Sequence, residues 1–461
     1  MTKSLEINAS PTKRFFVDML TRDIELDDAI LDLLDNSVDG ILRLRKGKRP
    51  TTKPYEGYWA ELKFSRGEFR ITDNCGGIPP DVAAEYAFRM GRLADDDRDK
   101  NLPTVGMYGI GMKRAMFKMG SSTVVESHHV DGSFRVELTP TWLKRDEDWS
   151  IPARRYTNKS AERGTTIIVK NLSASIADQF ARDSDFQDAF IERLQTTYAL
   201  IIEKGFKVTV NGHVVTPKPV KFLFAQPKKG QKTITPYMYE VDIGKVHASL
   251  VVGFYKANAD EEEYDEEAAA KHSRETAGWT VICNDRVVLY CDKTRMTGWG
   301  DAEVPGFHAQ FNAISGVLEL SSPDPNQLPL TTTKRGIDGN SEVYLLLKQY
   351  MREGTKIFTS YTYKWKKAKP EARKNEGAAA AVTLQEVRSQ MTDSDWKPVK
   401  KGGKRYMPDL PEPEKKSEDV VVRFTKPVKQ VTSLGRRLLD SPSAKPGDVG
   451  SAAFDFAHQK A

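Results

Sequence analysis

The first strong pattern along the chain predicts an amphipathic helix over residues 24–45. Apolar residues recur there with helical spacing on one face, at Ile30, Leu33, Leu34 and Val38. The other face is polar and carries Asp28, Asp32, Asp35, Asn36 and Asp39. Asp32 and Asn36 are four residues apart, so their side chains project from one face about one turn apart. The predicted helix therefore presents a carboxylate and a carboxamide side by side.

Strand and loop patterns follow this helix. Residues 57–72 predict two strands around a glycine turn, and strands alternate with turns through 121–172. A helix is predicted at about 184–204. Between these elements, residues 91–105 are polar and have no clear period. Because a long loop of this kind in a compact domain is usually functional, we expect residues 91–105 to form a lid over a site.

A second group of strands predicts another domain at 226–355. Its strand patterns are YMYEVDIG, HASLVVGFY, WTVICNDRVVLYC and SGVLELS. Asn284 and Asp285 predict a hairpin turn, and a closing helix is expected at about 340–353. The acidic stretch 258–272 is expected to be an exposed loop or short helix. No internal repeat is evident.

From residue 356 onward the pattern predicts a basic linker and a partly disordered C-terminal tail. Residues 351–461 hold 23 Lys and Arg against 14 Asp and Glu, a balance of +9 in a chain of net charge +6. This charge favours a solvated tail, or weak, sequence-independent DNA binding with base stacking on aromatic side chains. The candidate stacking residues are Tyr361, Tyr363, Trp365 and Trp396. A protein partner for the apolar end of the tail is a further expectation.

Composition excludes several classes of protein. No stretch approaches about 18 uninterrupted apolar residues, so no membrane span is expected. Three cysteines, Cys75, Cys283 and Cys291, match neither a disulfide framework nor paired zinc ligands. The N-terminus shows no signal-peptide pattern, and a reducing cytoplasm is the expected location.

Two glycine-rich runs and a short strand follow the helix in order. Asp73 begins the run DNCGGI at 73–78, and Gly106, Gly109 and Gly111 lie in GMYGIGMK at 106–113. Glycines allow the backbone to approach phosphates, and a following helix presents free N–H groups. The order GxxGxG is neither the Walker form nor GxGxxG. A Gly-Thr pair, Gly164 and Thr165, leads the β-branched run TTIIV.

This ordered set resembles the GHKL ATPase superfamily, which includes gyrase-type topoisomerase subunits, MutL-type repair proteins, ninety-kilodalton heat-shock chaperones, MORC proteins and histidine kinases. The resemblance covers roughly residues 10–220 and continues more weakly to about 350. It implies an α/β (α+β) fold, with a Bergerat-type ATPase sandwich in residues 1–225 and an S5-like transducer domain in 226–355. Residues 356–461 would be the linker and tail. ATP and Mg²⁺ are the ligands implied.

Asp32 and Asn36 are expected at the reacting end of the bound nucleotide. The neutral oxygen of Asn36 can coordinate Mg²⁺, a cation that takes most of its other ligands from water and phosphates. Asp32 could orient a water molecule toward the γ-phosphate. In the resembled ATPases this carboxylate is usually Glu, and Asp is shorter by one methylene. Either the helix lies closer to the nucleotide or hydrolysis is slow.

The resemblance assigns adenine to Asp73, with Gly77 in the same turn and Thr165 nearby. A buried carboxylate accepts a hydrogen bond from the adenine amino group but would face the carbonyl of guanine, so ATP is expected over GTP. Cys75 stands where the family usually has its first turn glycine, and the turn must accept this small side chain.

The phosphates are expected at the second glycine run, which comprises Gly106, Gly109, Gly111 and Met112, with Lys113 as a direct contact. In gyrase-like and MutL-like proteins a transducer loop sends a lysine to the γ-phosphate. Lys334 is the candidate for that catalytic role here, with Arg335 as the alternative.

The function that the resemblance implies is an ATP hydrolase used as a conformational switch. ATP would close the lid and favour a homodimer, and the role would lie in DNA handling, silencing or defence. One alternative is a non-hydrolysing ATP-sensing scaffold, favoured if Asp32 cannot activate water. A histidine kinase is the other alternative, but it needs a phosphoacceptor histidine upstream, and no histidine precedes His128.

Overall fold

We analysed a computed structural model of the chain. It describes residues 12–93, 96–107, 109–146, 148–157, 162–181, 184–227, 230–257, 276–331, 336–367, 369–400, 402–413 and 422–460. The chain divides into two compact units, residues 1–413 and 414–461, and each is considered by itself. The acidic stretch 258–272 lies outside the described residues. Among the residues described, no helix is both long and apolar enough to cross a membrane.

The described helices and strands confirm the mixed α/β class. The helices are α1 Lys13–Arg22, α2 Leu26–Leu44, α3 Pro80–Val82, α4 Gly111–Met119, α5 Pro140–Leu143, α6 Ala174–Ala181, α7 Ser184–Thr197, α8 Ala199–Glu203, α9 Glu342–Lys364, α10 Lys369–Gly377, α11 Leu384–Gln390, α12 Val428–Leu439 and α13 Pro446–Lys460. The strands are β1 Trp59–Phe64, β2 Glu68–Asp73, β3 Gly120–His129, β4 Gly132–Leu138, β5 Ala153–Tyr156, β6 Gly164–Leu172, β7 Lys207–Val210, β8 His213–Val214, β9 Lys221–Phe224, β10 Tyr237–Ile243, β11 Val246–Phe254, β12 Gly278–Cys283, β13 Arg286–Asp292, β14 Ile314–Ser321, β15 Ala380–Thr383, β16 Lys397–Pro398 and β17 Lys404–Tyr406.

The first sheet has the order β5-β4-β3-β6-β2-β1-β7-β8 among the described strands. Its strands pair antiparallel except for β1 and β7, which run parallel. One hydrophobic core joins the sheet to α2, α4 and α7, and its members include Leu34, Phe69, Met116 and Leu194. This packing brings three segments toward α2: the end of β2, the start of β6 and the start of α4.

The α2 helix forms as its apolar spacing predicts, but its polar face is also covered. Asp28, Asp35 and Asp39 are buried, because protein groups rather than water surround this face. Asp28 pairs with Arg193, and the other two carboxylates bind groups described below. The amphipathic pattern therefore identified the helix correctly, although it did not distinguish a solvent-facing polar side from a buried one.

The second sheet has the order β13-β12-β14-β11-β10-β17-β16 among the described strands. The α9 helix packs on it through buried side chains such as Tyr344, Leu347 and Phe358. Asn284 and Asp285 both have positive φ, 47° and 67°, as a tight hairpin turn requires, which confirms the predicted turn between β12 and β13.

The structure differs from the sequence prediction over residues 356–413, which are folded rather than a linker. The α9 helix continues to Lys364, and Tyr361 and Trp365 are buried in the core of the second sheet. Strand β17 pairs with β10, and β15 pairs with β9. Charge and proline content predict a solvated tail for this segment. Tyr361 and Trp365 are instead buried, so these two rings cannot stack on nucleic-acid bases. The division at 225/226 stays a prediction.

Candidate nucleotide-binding site

A cavity of about 360 Å³ lies between α2, the turn after β2 and the loop before α4. This volume is within the range of small-molecule sites, roughly 300–1,000 Å³. The predicted site residues that the structure describes all line it: Asp32, Asn36, Asp73, Gly77, Gly106, Gly109, Gly111, Met112, Lys113 and Thr165. Lys334 and Arg335 lie outside the described residues. The residues are thus assembled around one space, and their roles in binding remain predictions.

Asp73 lies at the end of β2, where three donors surround its carboxylate. Oδ2 accepts the Ser37 hydroxyl at 2.9 Å, and Oδ1 accepts the N–H groups of Cys75 at 2.8 Å and Thr165 at 3.3 Å. Burial raises the pKa of the Asp73 carboxyl above its usual value, while these hydrogen bonds act to lower it. The donors fix the carboxylate's orientation, and Ser37 ties it directly to α2.

The glycines of the DNCGGI turn are required by backbone geometry. Gly76 and Gly77 have φ of +95° and +75°, whereas Cys75 does not have positive φ, so this position accepts a side chain. A Cβ atom on Gly77 would lie 2.2 Å from the carbonyl oxygen of His128. Position 77 therefore requires glycine both for its positive φ and for its close packing against β3, and this turn borders the cavity.

Asp39 holds the start of the second glycine run. Its Oδ1 accepts the N–H of Val105 at 2.7 Å, and its Oδ2 accepts the N–H of Gly106 at 2.8 Å. A Cβ atom on Gly106 would lie 2.7 Å from Oδ2. The loop therefore approaches α2 closely because position 106 has no side chain.

Asp32 is buried beside the start of α4 and pairs with Arg114. The Arg114 guanidinium donates to Asp32 Oδ2 at 2.5 Å, and a Cβ atom on Gly111 would lie 3.2 Å from the Asp32 side chain. Arg114 also lines the cavity, and its buried Nε has no hydrogen-bond partner among the described residues. The guanidinium nevertheless places a positive charge at the cavity wall, which favours an anionic ligand there.

Asn36 is the exposed position in the stretch 28–39 of α2. It lines the cavity, and no described residue forms a hydrogen bond with its carboxamide. A neutral oxygen available in a cavity suits a Mg²⁺ ion that takes its remaining ligands from phosphates and water. The residues present therefore fit the metal that the sequence predicted.

Lys113 lies near the phosphate end of the predicted site but donates to protein carbonyls. Its ammonium binds the carbonyl oxygen of Ala87 at 3.0 Å and that of Gly109. Burial lowers the pKa of Lys113 to about 7, and the positive charge of Arg98 contributes. The predicted phosphate contact would require this ammonium to exchange a carbonyl for a phosphate oxygen.

The described part of the predicted lid is cross-linked to α2 by ion pairs. Arg43 binds both oxygens of Asp99, at 2.6 and 3.0 Å, and Arg92 binds the same carboxylate. Burial acts to raise the pKa of Asp99, but the hydrogen bonds and charges of Arg43 and Arg92 together outweigh it and lower the value. The Arg98 guanidinium lies 4.9 Å from the centre of the Tyr86 ring. Within this segment, Asp96 and Arg98 line the cavity, and the ion pairs of Asp99 join the segment to α2.

Residues 24–173 match the family described as "Histidine kinase-, DNA gyrase B-, and HSP90-like ATPase". That segment contains α2, both glycine runs and the Gly164–Leu172 strand. The chain therefore carries a domain of the GHKL ATPase superfamily, as its motifs predicted. Such domains bind ATP, typically with Mg²⁺, and serve ATPase or kinase functions. No curated protein matches the chain.

Sequence reasoning missed four residues that shape the site: Ser37, Asp39, Arg43 and Arg114. Ser37 and Asp39 lie on α2 within three residues of Asn36, so their helical positions were the available signal. Arg114 follows Lys113 directly and faces Asp32. Arg43 binds Asp99, 56 residues away, and no local pattern could have paired them.

Proposed function

We propose that the chain is a slow ATP hydrolase in which MgATP binding drives a conformational switch. The observation that carries the proposal is the shared cavity. The cavity is lined by the hydrogen-bonded, partly buried carboxylate of Asp73, a carboxamide available to a cation, and a glycine-rich loop that opens a helix. The domain family supports ATP as the ligand. Together these features favour the hydrolase over a site for a neutral metabolite.

Asp73 would recognise the adenine amino group. Its carboxylate is held by Ser37, Cys75 and Thr165, so it cannot turn away from a guanine carbonyl. A buried acceptor that faces another acceptor loses its hydrogen bond, and discrimination of this kind can be large. The proposal therefore includes selectivity for ATP over GTP.

The phosphates would lie against the 106–111 loop and the start of α4. Arg114 would contribute positive charge at the cavity wall, and Lys113 would add a second cation. Asn36 would hold Mg²⁺, which would neutralise part of the phosphate charge when bound. Asp32 would accept a hydrogen bond from the attacking water and orient it.

The same geometry suggests that hydrolysis is slow. Asp32 shares its carboxylate with Arg114, so a water molecule must compete with a guanidinium for it. Aspartate also extends less far than glutamate. If water cannot displace the Arg114 guanidinium from Asp32, the chain binds ATP without hydrolysing it and is an ATP-binding scaffold. The Asp32–Arg114 ion pair is the observation that favours this second candidate.

The proposal includes two interactions beyond the pocket. ATP would favour a homodimer, which native mass measurement with a non-hydrolysable analogue would detect. The charge of +9 over residues 351–461 supports weak, sequence-independent DNA binding, which should weaken steeply as salt rises. A role in DNA handling, silencing or defence would follow from that contact.

Phosphate release from ATP by the purified chain tests the hydrolase directly. We expect turnover that requires Mg²⁺ and that Asn36→Ala impairs together with nucleotide binding. ATP binding without phosphate release would support the scaffold. An absence of ATP binding would contradict both candidates.

A further inference from the structure

The hairpin turn of the second sheet contacts two segments that carry residues of the candidate nucleotide site, α2 and the loop before Gly106. Asn284 and Asp285 form the turn between β12 and β13, and Arg286 begins β13. We propose that Arg286 and Asn284 are positioning residues that couple the second sheet to the nucleotide cavity. The inference rests on the proposed ATP hydrolase function, and it assigns the coupling to this hairpin in addition to any contact from Lys334.

The first contact joins Arg286 to Asp35 on α2. The Arg286 Nε–H donates to Asp35 Oδ1 at 2.8 Å, and the Arg286 and Asp35 side chains are only 6% and 1% exposed. The Tyr198 hydroxyl donates to the same oxygen at 2.5 Å. Asp35 lies between Asp32 and Asn36 in sequence and does not line the cavity. It therefore acts on the site through the position of the helix.

The second contact joins Asn284 to the loop that carries Gly106. The Asn284 side-chain N–H groups donate to the carbonyl oxygen of Thr104 at 3.0 Å and to that of Ser322 at 3.2 Å. Asn284 Oδ1 accepts the N–H of Ser322 at 2.9 Å, which fixes the amide within the second sheet's own loop. Thr104 directly precedes Val105 and Gly106, the two residues that Asp39 holds.

Asp285 anchors the turn between these contacts. Its carboxylate accepts the Tyr55 hydroxyl at 2.8 Å and the Lys204 ammonium at 2.6 Å. Three consecutive residues thus bind four separate segments of the ATPase domain, at Asp35, Tyr55, Thr104 and Lys204. A rigid turn of this kind cannot stay in place if α2 moves relative to the 104–106 loop.

The buried charge pair favours a positioning role over a purely stabilising one. A buried ion pair gains little net stability, because desolvating both charges offsets their attraction. It does fix a geometry, since each charge accepts few alternative partners. The Arg286–Asp35 pair fixes the position of β13 relative to α2, the helix that carries Asp32 and Asn36. Movement of α2 on nucleotide binding or hydrolysis would therefore be transmitted to the second sheet.

Kinetics of neutral variants test this coupling. Asp35→Asn/Arg286→Gln removes both charges together and retains hydrogen-bonding groups, and Asn284→Gly removes the other contact while tolerating positive φ. We expect kcat to fall by at least about tenfold in the double variant and about threefold in Asn284→Gly, with KM for ATP within about threefold of the wild type. The single variant Arg286→Lys keeps the positive charge, so its kcat should lie between those of the double variant and the wild type. Glu353→Gln/Arg405→Gln, which removes a 2.6 Å ion pair between α9 and β17, is the matched control and should retain the wild-type kcat.

Hydrogen exchange provides a readout that does not need turnover. In the wild type, a non-hydrolysable ATP analogue should slow exchange of the amides in residues 280–288, and the double variant should lose this response while still binding the analogue. If the double variant does not fold, Asn284→Gly carries both measurements. Wild-type kcat and an undiminished exchange response in the variants would overturn the coupling. Failure of the wild type to bind ATP would instead overturn the proposed function.

Discussion

The Asp39 carboxylate accepts the N–H of Gly106 at 2.8 Å and so joins α2 to the loop expected to hold the phosphates. Its other oxygen accepts the neighbouring N–H of Val105 at 2.7 Å. Hydrogen bonds to an ionised acceptor are stronger than neutral ones. The loop is therefore fixed by the helix that also carries Asp32 and Asn36.

Replacing Asp39 should weaken ATP binding by releasing the loop at Val105 and Gly106 from α2. Asp39→Ala leaves two loop N–H groups without their acceptor, and we expect the ATP Kd to rise at least about tenfold, or about 1.4 kcal/mol. Gly106→Ala should have the same effect, because its Cβ would lie 2.7 Å from Asp39 Oδ2. Titration calorimetry on folded variants measures both. A wild-type Kd in both variants would show that this contact does not shape the site.

Removing the Asp32 carboxylate should separate binding from hydrolysis. We expect Asp32→Ala to abolish phosphate release and to leave ATP affinity largely intact. Asp35 cannot take over, because it is buried against Arg286 and Tyr198 and does not line the cavity. Phosphate release at the wild-type rate in Asp32→Ala would refute the assignment of Asp32.

The lowered pKa of Lys113, about 7, predicts proton uptake when ATP binds. At pH 8 most of this side chain is neutral, and a nearby phosphate would restore its charge. Binding should therefore take up as much as about one proton. Calorimetry in buffers of different ionisation enthalpy measures this number, and Lys113→Met should reduce it to near zero. Equal proton uptake by the wild type and Lys113→Met would remove Lys113 from the phosphate site.

The same group affects stability with a defined sign. The unfolded chain retains the Lys113 proton up to its ordinary pKa of 10.5, whereas the folded chain releases it near pH 7. Burial of the charged Lys113 therefore lowers the free energy of unfolding by its full amount below pH 7, and this loss of stability decreases as the pH rises toward 10.5. The difference in unfolding free energy between Lys113→Met and wild type should therefore shrink across that window.

Truncation should distinguish the folded segment 356–413 from the terminal unit. Removing residues 414–461 deletes no strand of either large sheet and should leave a cooperative unfolding transition in the rest of the chain. Truncation before Tyr361 should abolish cooperative unfolding of the second sheet, because it deletes two buried aromatic residues and the strand paired with β10. Calorimetric scans of the two truncated chains check this. Equal thermal stability of the two truncated chains would contradict the packing of residues 361–406 on the second sheet.

The sequence predicted the elements with strong periodicity and the turns with distinctive residues. The α2 helix and the hairpin at Asn284 could be predicted because each depends on local spacing. The resemblance of the ordered motifs to a known family added cavity residues such as Asp73 and Thr165, but it did not identify Arg43 or Arg114. The buried state of Asp35 was not, since its partner Arg286 is 251 residues away. The extent of α9 was also missed, because the lysines near Trp365 obscured its buried side.

Competitive binding of ATP and GTP tests most directly whether Asp73 selects adenine in this nucleotide site. We expect the wild type to bind MgATP at least about tenfold more tightly than MgGTP, and Asp73→Asn to weaken ATP binding by at least about 1.4 kcal/mol. Ser175→Ala, at an exposed position, is the control for the purified variants. Equal wild-type affinity for ATP and GTP would contradict the assignment.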